Sequence, residues 1–220
     1  MLRTFALAAA ALVAVPASAQ GMGGMDHGAH EEGHHAAMAD IPMRSSEEPR
    51  VSPNAGVMMT VGTTDVMVHY GRPSLKGRAY FTDEAPLAPR GQVWRTGANE
   101  APTFTTTADL MVEGERLPAG TYGLFTIPND DDWTIIFSSN ARQWGAFRYS
   151  EAEDVLRVTV EPMTDAPMEE QFEIRFVDVN DEEATMLLHW GTVGVPVVLA
   201  EAAGADDNDE MGDDETMDGM

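Results

Sequence analysis

The chain of 220 residues contains no cysteine. That excludes disulfides, a thiolate nucleophile, a Cys-type zinc site and a lipid-anchored N-terminal Cys. Lysine is nearly absent as well: Lys76 stands alone and every other base is Arg. With 13 basic against 37 acidic residues the formal net charge is −24. So acidic a chain repels nucleic acid and anionic membrane surfaces. Past the N-terminus no apolar run is long enough to span a bilayer, so no membrane span is expected. Amphipathic helical patterning is also missing, which removes bundle and α/β architectures.

What is present begins with an export signal. Met1-Leu2-Arg3 supplies a positive start, Phe5 to Val15 an apolar stretch, and Ala17-Ser18-Ala19 a small-x-small cleavage pattern. Cleavage is expected after Ala19, giving a periplasmic or secreted protein. Residues 20–50 read as a disordered linker rich in Gly, Ala, His, Met and Glu. It carries His27, His30, His34 and His35, with Met22, Met25, Met38 and Met43 around them. Imidazole and thioether together suit copper, and imidazole alone suits zinc or nickel, so the linker is a candidate transition-metal binder. Residues 201–220 form an acidic tail without one base. Acidic runs also lie in the body, as at Asp130-Asp131-Asp132. They point to a salt-rich habitat, where screening makes such a surface tolerable, or to a surface that binds cations.

Residues 51–200 remain for one domain with its own core. Short alternating or apolar runs recur between turn signals. Examples are Gly56–Val61, Asp65–Tyr70 after a turn at Gly62-Thr63-Thr64, Trp133–Phe137, Asp154–Val160 and Phe172–Val177. Glu113-Gly114 between Asp109–Val112 and Glu115–Pro118 signals a tight hairpin. Thr121–Ile127 carries bulk on both faces, as an interior strand does. About ten strands without a helix predict an all-β antiparallel β-sandwich, with a closed or partly open β-barrel as the alternative.

Three pieces of the body then stand out: Gly71-Arg72-Pro73-Ser74-Leu75-Lys76-Gly77-Arg78, Val93-Trp94-Arg95-Thr96-Gly97-Ala98-Asn99-Glu100, and Leu117 to Pro128. With Gln143-Trp144-Gly145-Ala146-Phe147 and Asp154-Val155-Leu156-Arg157-Val158, they resemble an exported bacterial family described only as a domain of unknown function (number 2911). The resemblance covers about residues 52 to 199. It implies extent and exported context, and no activity.

The Val93–Glu100 stretch is the candidate site. Arg95 can clamp a carboxylate or phosphate, Asn99 offers neutral hydrogen bonds, and Glu100 and Trp94 lie beside them. The competing reading is an internal Arg95–Glu100 pair pinning a loop. Arg72 and Arg78 are the basic cluster that could join the site, with Tyr70 and Trp144 as stacking partners. Internal pairing of these arginines is the alternative. His69 and His189 each read first as satisfied sheet histidines. No nucleophile elbow, phosphate loop or dinucleotide fingerprint is present. The expected function is therefore a non-catalytic module binding a small molecule or a protein partner. A hydrolase using His69 or His189 with Glu100, and copper handling by the linker, are the alternatives.

Overall fold

The computed structural model describes residues 49–202. The expected signal segment, nearly all of the expected linker with its histidines, and nearly all of the acidic tail lie outside the described residues. Eleven strands run in the order β1 (Asn54–Val61), β2 (Thr64–Gly71), β3 (Thr103–Thr106), β4 (Leu110–Val112), β5 (Glu115–Leu117), β6 (Gly120–Ile127), β7 (Trp133–Ser138), β8 (Asp154–Val160), β9 (Glu169–Val177), β10 (Glu183–Gly191) and β11 (Val193–Glu201). One six-stranded sheet has the order β1-β2-β3-β6-β7-β8 and a five-stranded sheet the order β5-β4-β11-β10-β9. All strand pairs are antiparallel. The two sheets do not close on each other, so the protein is a β-sandwich rather than a barrel. Among the described residues no helix is long and apolar enough to cross a membrane.

Alternation sets the layers. Val66, Val68 and Tyr70 of β2 point into the core, as do Phe104, Leu124 and Phe137 of the same sheet. Ile174, Leu188 and Val197 meet them from the five-stranded sheet. The Glu113-Gly114 hairpin forms as the sequence predicts, with φ of 50° and 81°, the positive pair that a two-residue turn uses. β6 lies inside its sheet, as its two bulky faces require.

At the β9 edge the two sheets are stitched together. The Tyr70 hydroxyl donates to the Ile174 carbonyl at 3.1 Å and accepts from the Ile174 N–H at 2.8 Å. Leu75 N–H donates to Glu170 O at 2.9 Å and Phe172 N–H to Pro73 O at 2.9 Å. The Gly71–Arg78 segment thus serves as a clasp along the edge of β9, satisfying backbone groups that an exposed edge would leave unpaired.

Gln92–Arg95 forms only an isolated bridge, Trp94 with Thr126. Trp94 stacks on Trp190 with centroids 5.7 Å apart and planes 11° apart, and meets Phe81 and Phe172 edge-on at 5.6 and 5.3 Å. An aromatic cluster of this kind closes one end of the sandwich.

Candidate functional site

The outer face of the six-stranded sheet is covered unequally. Over β6 and β7, loop 139–150 packs Ala146 and Tyr149 onto Phe125 and Ile136. Gly123 lets this loop approach, since a Cβ there would stand 2.7 Å from Asn140 O. Over β1, β2 and β3 the loop stops short, and a cleft of about 740 Å³ opens. Its floor includes Gly56, Met58, Met67, His69 and Thr103; Glu100, Gln143 and Trp144 wall one side.

Strand register builds the floor. Gly56 pairs with His69 and Met58 with Met67, while Thr103 faces His69 from the other side. The imidazole leans across Gly56: a Cβ at that position would lie 2.8 Å from His69 Cδ2 and 3.3 Å from Nε2. Glycine is therefore required for the ring to lie where it does. His69 is half-buried and bonds to no described residue. Burial pushes its pKa below the ordinary imidazole value, which favours the neutral ring.

The wall is held by backbone. Ala101 N–H donates to Gln143 O and Gly145 N–H to Asn99 O, both at 2.9 Å. Glu100 receives a bidentate pair from Arg50, at 2.8 and 2.9 Å. That pairing holds the Glu100 carboxyl below its usual range. Arg142 lines the rim. Gln143 is buried, donates to Asn140 O at 3.3 Å, and its Oε1 has no donor among the described residues. Trp144 is 61 % exposed at the mouth, and Phe147 is 87 % exposed further along the same loop.

Tyr149 anchors that loop. Its hydroxyl donates to Asp154 and accepts from Arg157, each at 2.6 Å. Burial and then the Asp154 carboxylate push its pKa up to about 12 from 10.0. A phenol whose folded pKa is raised stabilises the fold fully below the unfolded pKa and loses that contribution as pH rises through the folded one. Folding stability should therefore fall between pH 10 and about 12. Denaturant unfolding across this range, compared with Tyr149→Phe, reads the effect. A Tyr149→Phe curve parallel to wild type would contradict it.

The sequence-predicted residues are divided by the structure. Glu100 and Trp144 line the cleft, whereas Tyr70 borders it with its ring buried in the core and its hydroxyl on Ile174, so it is not the stacking partner expected. Trp94 is in the core, 5 % exposed. Arg72 donates to Phe172 O at 2.9 Å and lies 3.7 Å from Glu173. Arg78 donates to Leu75 O and Ser74 O, at 3.0 and 2.6 Å. Both arginines serve the clasp on β9. Asn99 has φ of 66° and donates to Ser52 O at 3.4 Å. Glu100 pairs with Arg50, so the expected internal Arg95–Glu100 pair does not form. Arg95 is half-buried, its Nε has no acceptor among the described residues, and burial lowers its pKa.

The two body histidines part company. His189 is buried, with Nε2 at 2.9 Å from Pro167 O and Nδ1 at 3.3 Å from Arg175. It is the satisfied sheet histidine that the sequence suggested. His69 is not. Gly56, Met58 and Met67 were not singled out by sequence reasoning. Their signal is the alternation of β1 and β2, which places all three on one face with His69.

The protein defined by these features is a two-sheet antiparallel β-sandwich with a cleft on the outer face of its larger sheet. Residues 52–199 match the family described as "Protein of unknown function (DUF2911)", and the chain belongs to that family. No curated protein and no solved structure matches the chain.

Proposed function

We propose that this is an exported small-ligand-binding module whose site is the cleft over β1, β2 and β3. The observation that carries this reading is His69. A half-buried imidazole without a partner among the described residues, at the floor of an open cleft, is a polar group placed for something other than folding. The rest of the lining fits a ligand with an apolar, planar body. Met58, Met67 and Trp144 supply apolar and aromatic surface. His69 offers a hydrogen bond that fixes its orientation.

The hydrolase alternative draws support from His69 and Glu100 lining one cleft. Against it, the Glu100 carboxylate is engaged at both oxygens by Arg50, which makes it a poor base. The binding reading is therefore preferred.

An anilinonaphthalene sulfonate dye serves as the probe. It should bind the folded protein, and Gly56→Val should weaken binding about tenfold or more by driving the His69 ring into the cleft. Trp144→Ala should weaken it as well. Both positions face solvent, so thermal unfolding should change little. Dye binding that is absent, or indifferent to both substitutions, would refute the cleft as a ligand site.

A further inference from the structure

Three soft donors share one corner of this cleft. Met58 and Met67 are directly opposed across β1 and β2, and His69 follows Met67 by two residues on the same face. Directly opposed side chains have Cβ atoms about 5 Å apart, and the step from Met67 to His69 is about 6.6 Å. The fourth corner of this square is Gly56, across which the imidazole leans. The ring nitrogen nearest the Gly56 position is Nε2. Methionine has three rotatable side-chain bonds, so both thioethers can swing onto a point beside that nitrogen.

We infer that Met58, Met67 and His69 form a binding site for a soft monovalent metal ion, Cu(I). The inference rests on the cleft being open to ligands. Two thioethers and one imidazole select Cu(I): thioether sulfur is a poor ligand for Zn(II), Mg(II) or Ca(II), whereas Cu(I) favours it. No carboxylate belongs to the square, which leaves little to attract a hard cation. An imidazole coordinates a metal through a ring nitrogen. Trp144 lines the same cleft and offers a π-face to a bound cation.

The sequence ahead of the domain has matching chemistry. His27, His30, His34 and His35, with Met22, Met25, Met38 and Met43, precede Arg50. Arg50 is fixed to Glu100, which lines this cleft. The chain thus enters the domain at the rim of the square, where copper held by the linker would be handed to a site of fixed geometry.

The test uses the full mature chain, titrated anaerobically with Cu(I) against a chromophoric Cu(I) chelator. The four linker histidines are replaced by Ala in both arms, and one arm adds Met58→Leu and Met67→Leu. Leucine keeps the volume and removes the sulfur. The added pair should weaken Cu(I) retention about tenfold or more. With Ag(I) as the redox-stable substitute, the methyl resonances of Met58 and Met67 should shift together with the His69 ring. Equal retention in the two arms, or shifts confined to the linker methionines, would overturn the inference. Dye binding is measured on the arm that keeps Met58 and Met67. Cu(I) retention there in a protein that binds no dye would leave the metal site standing and remove the organic-ligand reading, whereas dye binding with equal Cu(I) retention in the two arms would remove the metal site alone.

Discussion

Trp94→Ala is expected to cost about 3–5 kcal/mol of folding stability. Trp94 stacks on Trp190, meets Phe81 and Phe172 edge-on, and has 5 % of its surface exposed. Its backbone bridges to Thr126 in both directions, at 2.7 and 2.9 Å. Truncation removes the ring but not the bridge. A cavity then opens among three large aromatic residues that cannot collapse onto it, because each is held on its own strand or loop. Urea unfolding measures the loss, with Trp144→Ala as the comparison. Trp144 is 61 % exposed, so its replacement should change stability by only a few tenths of a kcal/mol. On the proposed function the two tryptophans separate structure from site, with Trp94 expected to govern folding and Trp144 binding. Similar stability losses in the two variants would mean that the aromatic cluster does not hold this end of the sandwich.

Much of the sandwich is legible from the sequence because its signals are local. Glu113-Gly114 fixes a hairpin through backbone preference alone, and alternation in Asp154–Val160 and Phe172–Val177 marks strands regardless of their neighbours. The candidate site was less legible for two reasons. Arg95, Asn99 and Glu100 are adjacent in sequence, and adjacency suggested one cluster. Backbone conformation disperses them: Thr96, Gly97 and Asn99 all have positive φ, so successive side chains leave in different directions. Trp94 enters the core, Asn99 reaches Ser52 O, and Glu100 turns to Arg50.

The second reason is register. A three-residue turn at Gly62-Thr63-Thr64 would set Gly56 opposite Tyr70 and Met58 opposite Val68. The turn spans two residues, Gly62 and Thr63, and pairs Val61 with Thr64. Gly56 then meets His69 and Met58 meets Met67. One residue in a turn decides whether these four positions form a square, because a shift of one exchanges the faces of a strand. The polar-apolar alternation of β2 was readable; its pairing with β1 was not.

Gly71→Ala should be strongly destabilising, although it adds a single methyl. A Cβ at Gly71 would stand 2.2 Å from Ala98 O, 3.1 Å from Ala98 C and 3.4 Å from Ala98 N. These are backbone atoms, so no side chain can rotate away. The close approach is reciprocal, since Ala98 N–H donates to Gly71 O at 3.2 Å and a Cβ at Gly97 would lie 2.8 Å from that oxygen. Relief requires the Gly97–Ala98 backbone to move as a unit. That movement strains the Asn99–Gly145 and Ala101–Gln143 bonds that hold the cleft wall. Overpacking typically costs 1–3 kcal/mol, and rigid backbone on both sides puts this case at about 3 kcal/mol or above. Gly77→Ala is the comparison. Its φ is +70° but nothing lies within 4 Å of its Cβ position, so only the backbone preference of about 1 kcal/mol is lost. Denaturant unfolding ranks the two, and dye binding reports on the wall. If Gly71→Ala costs no more than Gly77→Ala, the contact between the clasp and the Val93–Glu100 segment does not set the position of the cleft wall. If it costs more and also weakens dye binding, the segment acts on the cleft through its backbone, with Trp94 locked in the core on one side and Glu100 presented to the rim on the other.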